Sequence, residues 1–390
     1  MKVFLGAFGD PGHTFPMLAL GERLVACGHE VLFETWRKWQ LDVEAAGMTF
    51  AAAPEYRTFP ALGHYDAAVR AVHVTEPVLR DFAPDACVAD ILTLAPALAA
   101  ERLGVPVATL IPHVCPLTAA GDPPFASGAR RPRTALGRRA WRLTDALVRR
   151  GLESGRADYN AARAQLGLPP VADLHGGLSR SLTLVGTLPA LESPREWPAW
   201  LRVVGPLLWE PPGERVDPPP GDGPVVLVAP STAHDAEHRL LRAALDGLAG
   251  EPVRVIATWN GRGPGWLPGY RVPANAVLVP WLSYAKTMPA CDVAVIHGGH
   301  GTLVRALVSG CVPVICPAAG DMYENAARTA WAGLGVRLPR RLLTPATLRL
   351  AVRRALADPA LRARVEALPA PDGASAATDE IEIWSVRNTN

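Results

Sequence analysis

The chain has 390 residues, a formal net charge of +2 and 49% hydrophobic residues. This length is sufficient for two domains with separate cores, and the apolar content argues against a disordered chain. The nearly balanced charge argues against nucleic acid as the main partner.

The N-terminus carries no recognisable signal sequence. The apolar run at residues 3–8 is too short for one and ends in a Gly/Pro turn at residues 9–12. No apolar stretch is long enough to span a bilayer, so we expect a soluble cytoplasmic protein. The six cysteines form no CxxC motif and are expected to be reduced core thiols.

The first residues predict a strand–helix–strand unit. A strand, a loop, a helix and a second strand follow one another at residues 2–8, 9–12, 13–26 and 30–34. The glycines Gly6, Gly9 and Gly12 do not form a GxGxxG fingerprint, and no acidic residue clearly ends the second strand. A nicotinamide dinucleotide is therefore not expected here.

Two polar residues follow predicted strands in this half of the chain. His13 opens the first helix, and its imidazole could act as a base near neutral pH or simply satisfy the helix turn. Asp90 ends the strand at 86–89, before a predicted helix at 92–103. It could orient a histidine base or serve as the N-cap of the helix after it.

Residues 54–82 and 113–155 are expected to be irregular for the fold. The second segment is rich in arginine, and four apolar residues lie on one helical face (Leu136, Trp141, Leu143 and Leu147). We expect a solvated basic face over an apolar stripe. Contact with a membrane, or with an acidic acceptor or carrier, is the alternative, and membrane contact is not favoured.

The proline-rich stretch at residues 206–223 predicts a stiff, extended linker. It would separate an N-terminal domain, residues 1–205, from a C-terminal domain, residues 224–390. The tail of the chain has no clear period, and whether it crosses back to the first domain stays open.

The second domain opens with a buried strand at residues 225–229. Its exit loop contains Ser231 and Thr232, small hydroxyls that can cap a helix or bind a phosphate. A later strand at 277–279 is followed by Trp281, which could stack on a nucleobase or pack in the core.

Residues 292–328 are the most informative stretch. A strand at 293–296 runs into the glycine-rich turn His297–Thr302 and then a helix, and a second strand at 312–316 has its exit loop at 317–321. Glycines let backbone N–H groups approach an anion, and a helix N-terminus favours negative charge. Two adjacent strand exits facing one crevice therefore predict a site for a phosphate-bearing ligand.

This stretch also resembles a known motif. HGGHGT, ALVSGCVPVICPAAGD and NAARTAWAGLGVRL, in this order, resemble the donor-binding motif of family 1 glycosyltransferases, particularly bacterial enzymes that glycosylate antibiotics and other natural products. GHTFPMLALGERLVACGHEVLF near the N-terminus, and PDACVAD with ERLGVP, are also similar to that family. The resemblance implies the GT-B fold, in which two Rossmann-like α/β domains face each other across a cleft.

The resemblance further implies roles for residues of this sequence. His13 would be the catalytic base and Asp90 its partner. Gly12 and His113 would lie on the acceptor side. The donor nucleotide and phosphates would contact Ser231, Thr232, Trp281, His297, Gly298, Gly299, Gly301 and Thr302. Asp321 and Met322 would contact the donor sugar.

Three positions depart from the family pattern. Arg305 stands where the family often has a ribose-binding Glu, and we expect it to face a phosphate or solvent. Tyr284 replaces a Gln or His near the base. Met322 replaces a Gln that holds sugar hydroxyls, and its apolar thioether predicts a donor sugar with fewer hydroxyls, such as a deoxysugar.

The implied activity is inverting glycosyl transfer from a dTDP- or UDP-sugar to a hydroxyl of a small-molecule acceptor. No metal and no cofactor beyond the nucleotide-sugar co-substrate are expected, and His297 and His300 on a glycine turn do not make a convincing zinc pair. A homodimer is left open. The alternatives are a non-catalytic auxiliary protein and a nucleotide-sugar 2-epimerase on the same fold.

Overall fold

A computed structural model describes residues 1–54, 64–175, 177–231, 235, 237–261, 263 and 265–388 of the chain. These residues form two parallel β-sheets flanked by helices, and each sheet is packed in hydrophobic side chains of its own. The expected fold class, two Rossmann-like α/β domains, is confirmed.

Seven parallel strands form the first sheet: β1 (Lys2–Gly6), β2 (Glu30–Thr35), β3 (Thr49–Ala52), β4 (Ala86–Asp90), β5 (Val107–Ile111), β6 (Leu182–Val185) and β7 (Leu201–Val203). Their order is β3-β2-β1-β4-β5-β6-β7. The strand order reverses between β1 and β4, where Gly6 pairs with Ala89. In open parallel sheets, ligands bind outside the carboxyl ends of the strands at such a point.

Six parallel strands form the second sheet: β8 (Val225–Ala229), β9 (Arg254–Thr258), β10 (Ala276–Val279), β11 (Val293–Ile296), β12 (Val312–Ile315) and β13 (Val336–Arg337). Their order is β10-β9-β8-β11-β12-β13, so this sheet reverses between β8 and β11. Ala229 pairs with Ile296 there, which brings the exit loops of β8 and β11 side by side.

The helices of the first half are α1 (Pro11–Ala26), α2 (Gln40–Ala45), α3 (His64–Phe82), α4 (Leu94–Arg102), α5 (Ala135–Arg142) and α6 (Asp145–Gln165). Those of the second half are α7 (Arg239–Leu248), α8 (Tyr284–Thr287), α9 (His300–Val308), α10 (Met322–Ala332), α11 (Pro345–Ala357), α12 (Pro359–Glu366) and α13 (Gly373–Asn388). Within the described part of the chain, no helix is both long and apolar enough to cross a bilayer.

The expectation of irregular structure at 54–82 is wrong for α3, and residues 55–63 lie outside the described range. The helix forms because Ala68, Val72 and Leu79 fall on one face and are buried against α4. Pro77 lies inside the helix, so the proline did not prevent a regular element whose apolar face could be buried.

The apolar stripe of the basic segment is largely exposed. Leu136, Leu143 and Leu147 in and between α5 and α6 are 78%, 85% and 75% exposed, and Trp141 is half-buried. A helical period groups apolar side chains on one face, but it does not supply another element to cover that face.

The linker has no regular structure, and the C-terminal helix α13 contacts the N-terminal half of the molecule. Residues 204–224 form no helix or strand. In α13, Ile381 and Trp384 are buried in the core of the first sheet, and the Trp384 indole donates a hydrogen bond to Ser181 Oγ. The end of the chain thus packs on the N-terminal half, while the domain boundaries at 205 and 224 stay a prediction.

Candidate active site

His13 lies in the first turn of α1, shortly after the carboxyl end of β1. Asp10 caps this helix, because its Oδ1 accepts a hydrogen bond from Gly12 N at 3.0 Å. The imidazole of His13 is 15% exposed, and Gly12 is exposed beside it. A rigid helix turn therefore presents the histidine at the switch point of the first sheet.

Asp90 ends β4, and its side chain is fully buried. Its Oδ1 lies 2.7 Å from His13 Nδ1, and its Oδ2 accepts hydrogen bonds from Leu92 N and Thr93 Oγ1, both at 3.1 Å. The N-cap position of α4 is Thr93 rather than Asp90, so the N-cap interpretation of Asp90 is wrong. With Nδ1–H donating to Asp90, the neutral imidazole keeps its lone pair on Nε2, where it can accept a proton.

The electrostatics around His13 favour the protonated ring. Burial lowers the pKa of His13, but the charge of Asp90 and the hydrogen bond to it outweigh burial and raise the pKa above 6.5, with further contributions from Asp10 and Asp321. Asp321 belongs to the second half of the chain. Its charge thus acts on both His13 and His113 of the first half.

His113 follows β5 and lies next to this pair. Its ring meets the His13 ring edge-on at a centroid distance of 6.2 Å, and it stacks on Phe125 at 6.0 Å. Nδ1 donates to Val114 O at 2.8 Å. Burial lowers the pKa of His113. The charge of Asp321 opposes this decrease, and the charge of His13 adds to it. The structure thus brings the expected acceptor-side histidine beside the expected base.

The glycine-rich turn lies between β11 and α9. Gly298 has a φ of 89°, which favours glycine. A Cβ on Gly299 would lie 2.4 Å from His297 Nε2, so this position also requires a minimal side chain. The helix begins at His300, so Gly301 and Thr302 lie in its first turn. The first N–H groups of a helix have no partner within it and can bind an anion.

The exit loop of β8 runs beside this turn. Ser231 is buried, and His297 Nδ1 lies 3.3 Å from Ala229 O, the last residue of β8. The two neighbouring strand exits therefore meet as expected from the sequence. Thr232 lies outside the described residues.

Trp281 follows β10 and is 39% exposed, so it is not a core residue. Its ring is 6.4 Å from that of Tyr284, whose hydroxyl accepts a hydrogen bond from Asn260 Nδ2. The linker passes close by, because a Cβ on Gly213 would lie 3.2 Å from Trp281 Nε1. An exposed indole at a strand exit is available for stacking.

Asp321 and Met322 lie at the start of α10. Met322 is 9% exposed, and its Cβ would lie 3.2 Å from a Cβ on Gly298, so α10 begins against the glycine-rich turn. Asn325 Nδ2 donates to Gly298 O at 2.9 Å and lies 3.4 Å from Asp321 Oδ2. The residues expected at the sugar therefore adjoin the glycine-rich turn.

One expectation is not tested and one contact was not expected from the sequence. Arg305 on α9 is half-buried; burial lowers its pKa, and the charge of Glu210 in the linker raises it. That Arg305 faces a phosphate or solvent stays a prediction. His300 Nε2 lies 3.2 Å from Gly186 O, which joins the two halves of the chain, and burial lowers the pKa of His300 to about 4. In the sequence, only the second histidine of HGGHGT, His300 itself, could have pointed to this contact.

Metal ligands do not cluster in this part of the molecule. Among the described residues, no group of three or more His, Cys, Asp or Glu side chains could hold a metal ion. The positive end of α9 and the histidines of the cleft are the polar groups that the site offers to a phosphate.

Sequence comparison places the chain among known proteins. The family described as "Erythromycin biosynthesis protein CIII-like, C-terminal domain" matches residues 256–383. The 4'-demethylrebeccamycin synthase of Lentzea aerocolonigenes is 30% identical, with 93% of this chain and 93% of that protein covered. The O-mycaminosyltylonolide 6-deoxyallosyltransferase of Streptomyces fradiae is also 30% identical and covers 100% of this chain and 99% of its own length.

Solved structures share the fold. The calicheamicin glycosyltransferase CalG4 superimposes with a TM-score of 0.78 at 24% identity, covering 99% of this chain and 98% of its own. The glycosyltransferase VinC, solved in complex with dTDP, has a TM-score of 0.71 at 19% identity, covering 99% and 100%. Together with the sequence relatives, these findings establish that the chain belongs to the GT-B glycosyltransferases of natural-product biosynthesis.

Proposed function

We propose that this glycosyltransferase moves a sugar, expected to be a deoxysugar, from a dTDP- or UDP-linked donor to a hydroxyl of a small-molecule natural product, with inversion at the anomeric carbon. The observation that carries the proposal is the His13–Asp90 hydrogen bond of 2.7 Å. The charge of Asp321, the proposed donor-sugar residue at the start of α10, also acts on His13, which supports a base and a donor sugar in one site.

In the proposed reaction the acceptor oxygen attacks the anomeric carbon while His13 Nε2 takes its proton. The new C–O bond forms as the bond to the diphosphate oxygen breaks on the opposite face, which inverts the anomeric configuration. Asp90 stabilises the imidazolium that results, and general-base catalysis of this kind is worth about 10²–10⁴-fold. The diphosphate leaves towards the N-terminus of α9, whose dipole and free N–H groups stabilise its charge.

The donor assignment rests on the C-terminal half. Trp281 is exposed for stacking on the base, and Gly298, Gly299, Gly301 and Thr302 border the phosphates, with His297 and Ser231 beside them. The apolar Met322 favours a sugar that lacks a hydroxyl at that point. The names of VinC bound to dTDP and of the 6-deoxyallosyltransferase are in keeping with such a donor.

We infer that neither a metal ion nor a further cofactor is needed, because the N-terminus of α9 offers positive partial charge and free N–H groups to a departing diphosphate. Turnover that is unchanged by a chelator would support this. Loss of turnover in chelator, restored by adding back a divalent cation, would refute it. The proposed inversion is checked by the anomeric coupling constant of the product in NMR.

A nucleotide panel tests the proposal first. Thermal stability is measured with dTDP, UDP, GDP and ADP, with NAD as control; a ligand that binds only the folded state adds about 2.7 kcal/mol at a hundred times its dissociation constant. We expect a selective effect of dTDP or UDP. A His13→Ala variant should then bind the nucleotide but lose transfer. His73→Ala replaces an exposed histidine on α3 and should keep both nucleotide binding and transfer.

Three outcomes would contradict the proposal. Nucleotide binding with full transfer by His13→Ala would show that His13 is not the base. An absence of any nucleotide effect on thermal stability would favour the auxiliary-protein alternative. Conversion of a nucleotide sugar without an acceptor would favour the 2-epimerase alternative. Size-exclusion chromatography with light scattering would decide whether the chain forms a homodimer.

A further inference from the structure

Arg328 on α10 lies at the centre of a buried ionic network. Its Nη1 donates to Glu192 Oε2 at 2.7 Å, its Nε to Glu324 Oε1 at 2.8 Å and its Nη2 to Cys115 O at 2.9 Å. Glu192 Oε1 in turn accepts from Cys115 N at 2.6 Å. The side chains of Arg328 and Glu192 are each 3% exposed, so this ion pair is almost completely buried.

The network joins the two halves of the molecule. Glu192 and Cys115 follow strands of the first sheet, whereas Arg328 and Glu324 lie on α10 beside the second sheet. A buried ion pair is costly to form unless its geometry is good and its remaining donors are satisfied. Three donor groups of one planar guanidinium, aimed at three partners, fix distance and angle in a way that a single contact cannot.

Both ends of the network lead to the cleft. Cys115 is two residues after His113, whose ring meets His13 edge-on. Along α10, Asn325 donates to Gly298 O of the glycine-rich turn, and Asp321 stands at the start of the helix. A shift of Arg328 against Glu192 would therefore move the acceptor-side loop relative to the donor-side helix.

We propose that Arg328 is a positioning residue that holds the acceptor-side loop, residues 113–115, at a fixed distance from the donor-side helix α10, through Glu192 and the Cys115 carbonyl. This inference rests on the proposed function for its kinetic consequences. Arg328 touches neither substrate in this account. Its effect is to keep the attacking oxygen, its base and the anomeric carbon in one geometry, where an error of about 1 Å costs about 10²-fold in rate.

The test compares Arg328→Met with Arg328→Lys and with a matched control. Methionine removes the charge and every donor, and lysine keeps the charge but not the planar fork. Arg163→Met is the control: Arg163 is also 3% exposed and pairs with Glu101 at 2.7 Å from Nη1, but both residues lie in the N-terminal half. Glu192→Gln provides a second variant of the network with little change of shape.

The readouts are kcat, acceptor KM and the dissociation constant of dTDP or UDP. For Arg328→Met we expect a kcat lower by about 10- to 100-fold and a higher acceptor KM, with a nucleotide dissociation constant within about twofold of wild type. For Arg328→Lys, kcat and acceptor KM should lie between those of wild type and those of Arg328→Met. Glu192→Gln should change the same parameters in the same direction as Arg328→Met. Arg163→Met should lower thermal stability without changing kcat or KM.

Three results would overturn the inference. They are wild-type kinetics in a folded Arg328→Met, an equal kinetic loss in Arg163→Met, and a loss of nucleotide affinity as large as the loss of kcat. Should Arg328→Met fail to fold, Glu192→Gln carries the same test. Small-angle scattering adds a readout without turnover, since loosening the two halves should increase the radius of gyration of the Arg328 variant and not that of Arg163→Met.

The scattering measurement also separates the two proposals. A wild-type protein that binds no nucleotide and transfers no sugar would refute the proposed function. The comparison of radii of gyration would still decide whether Arg328 holds the two halves together. An unchanged radius of gyration in Arg328→Met would then refute that role of Arg328.

Discussion

Replacing Glu34 with glutamine should remove a pH dependence of stability from this protein. Glu34 lies on β2, is 1% exposed, and its two carboxyl oxygens are 2.9 and 3.0 Å from the hydroxyl of Thr75 on α3. No salt bridge to it is found among the described residues. Burial raises its pKa to about 7, and the hydrogen bond from Thr75 opposes this only in part.

The sign follows from proton binding. The folded protein holds the Glu34 proton up to about pH 7, whereas the unfolded chain releases it near 4.5. Between these values the folded state binds more protons, so the free energy of unfolding falls as pH rises, and the loss is complete above the folded pKa. The rise of the pKa from 4.5 to about 7, at about 1.4 kcal/mol for each tenfold change, corresponds to about 3 kcal/mol.

Glu34→Gln keeps the shape and can still bond to Thr75, but it does not ionise. Chemical denaturation at about pH 5.5 and about pH 8.5 should show wild type losing about 2 kcal/mol more than the variant over this interval. Glu30→Gln, at an exposed position on the same strand, is the control. Its free energy of unfolding should change with pH as that of wild type does. Parallel curves for Glu34→Gln and wild type would refute the assignment of a buried, protonated carboxyl.

Three further predictions concern the cleft. Asp90→Asn should lower kcat by about 10²–10⁴-fold and, because Asp90 no longer raises the pKa of His13, move the acidic fall of kcat to lower pH; an unchanged pH profile would contradict the dyad. Met322→Gln should raise turnover with UDP-glucose relative to dTDP-deoxysugars, as measured by product formation with both donors. Trp281→Ala should raise the nucleotide dissociation constant by about 10- to 100-fold in calorimetric titration, since base stacking is worth about 1–3 kcal/mol, and should leave folding intact.

The features that sequence predicts well here are those with a local cause. Apolar runs of four or five residues mark buried parallel strands, and polar or glycine residues at their carboxyl ends mark the site. His13 and Asp90 are 77 positions apart in sequence yet 2.7 Å apart in space. The resemblance to the glycosyltransferases implied their pairing, and the structure brings them together because β1 and β4 are neighbours at the point where the strand order reverses.

Features that depend on what packs against an element were not predicted. The leucines of α5 and α6 have the spacing of a buried face but are exposed, since nothing in the described part of the chain covers them. Conversely, residues 64–82 were expected to be irregular, yet burial of Ala68, Val72 and Leu79 stabilises the helix α3, which also contains Pro77. Local pattern states which residues share a face, and tertiary contacts decide where the face points.

The helix α10 shows this limit most clearly. Asp321, Asn325 and Arg328 are spaced by four and three residues, which puts them on one face of the helix. A hydropathy pattern would turn such a face to solvent, but Asn325 is 0% and Arg328 3% exposed. Buried polar groups are tolerated only when they are bonded.

The partners of that face explain its burial, and they differ from turn to turn. Asp321 begins the helix, Asn325 binds the carbonyl of Gly298, and Arg328 binds the other half of the molecule through Glu192. One helix therefore connects the glycine-rich turn with the N-terminal half. Part of the stretch that resembles a donor-binding signature thus also makes the contact between the two halves of the molecule, through successive turns of one helix face.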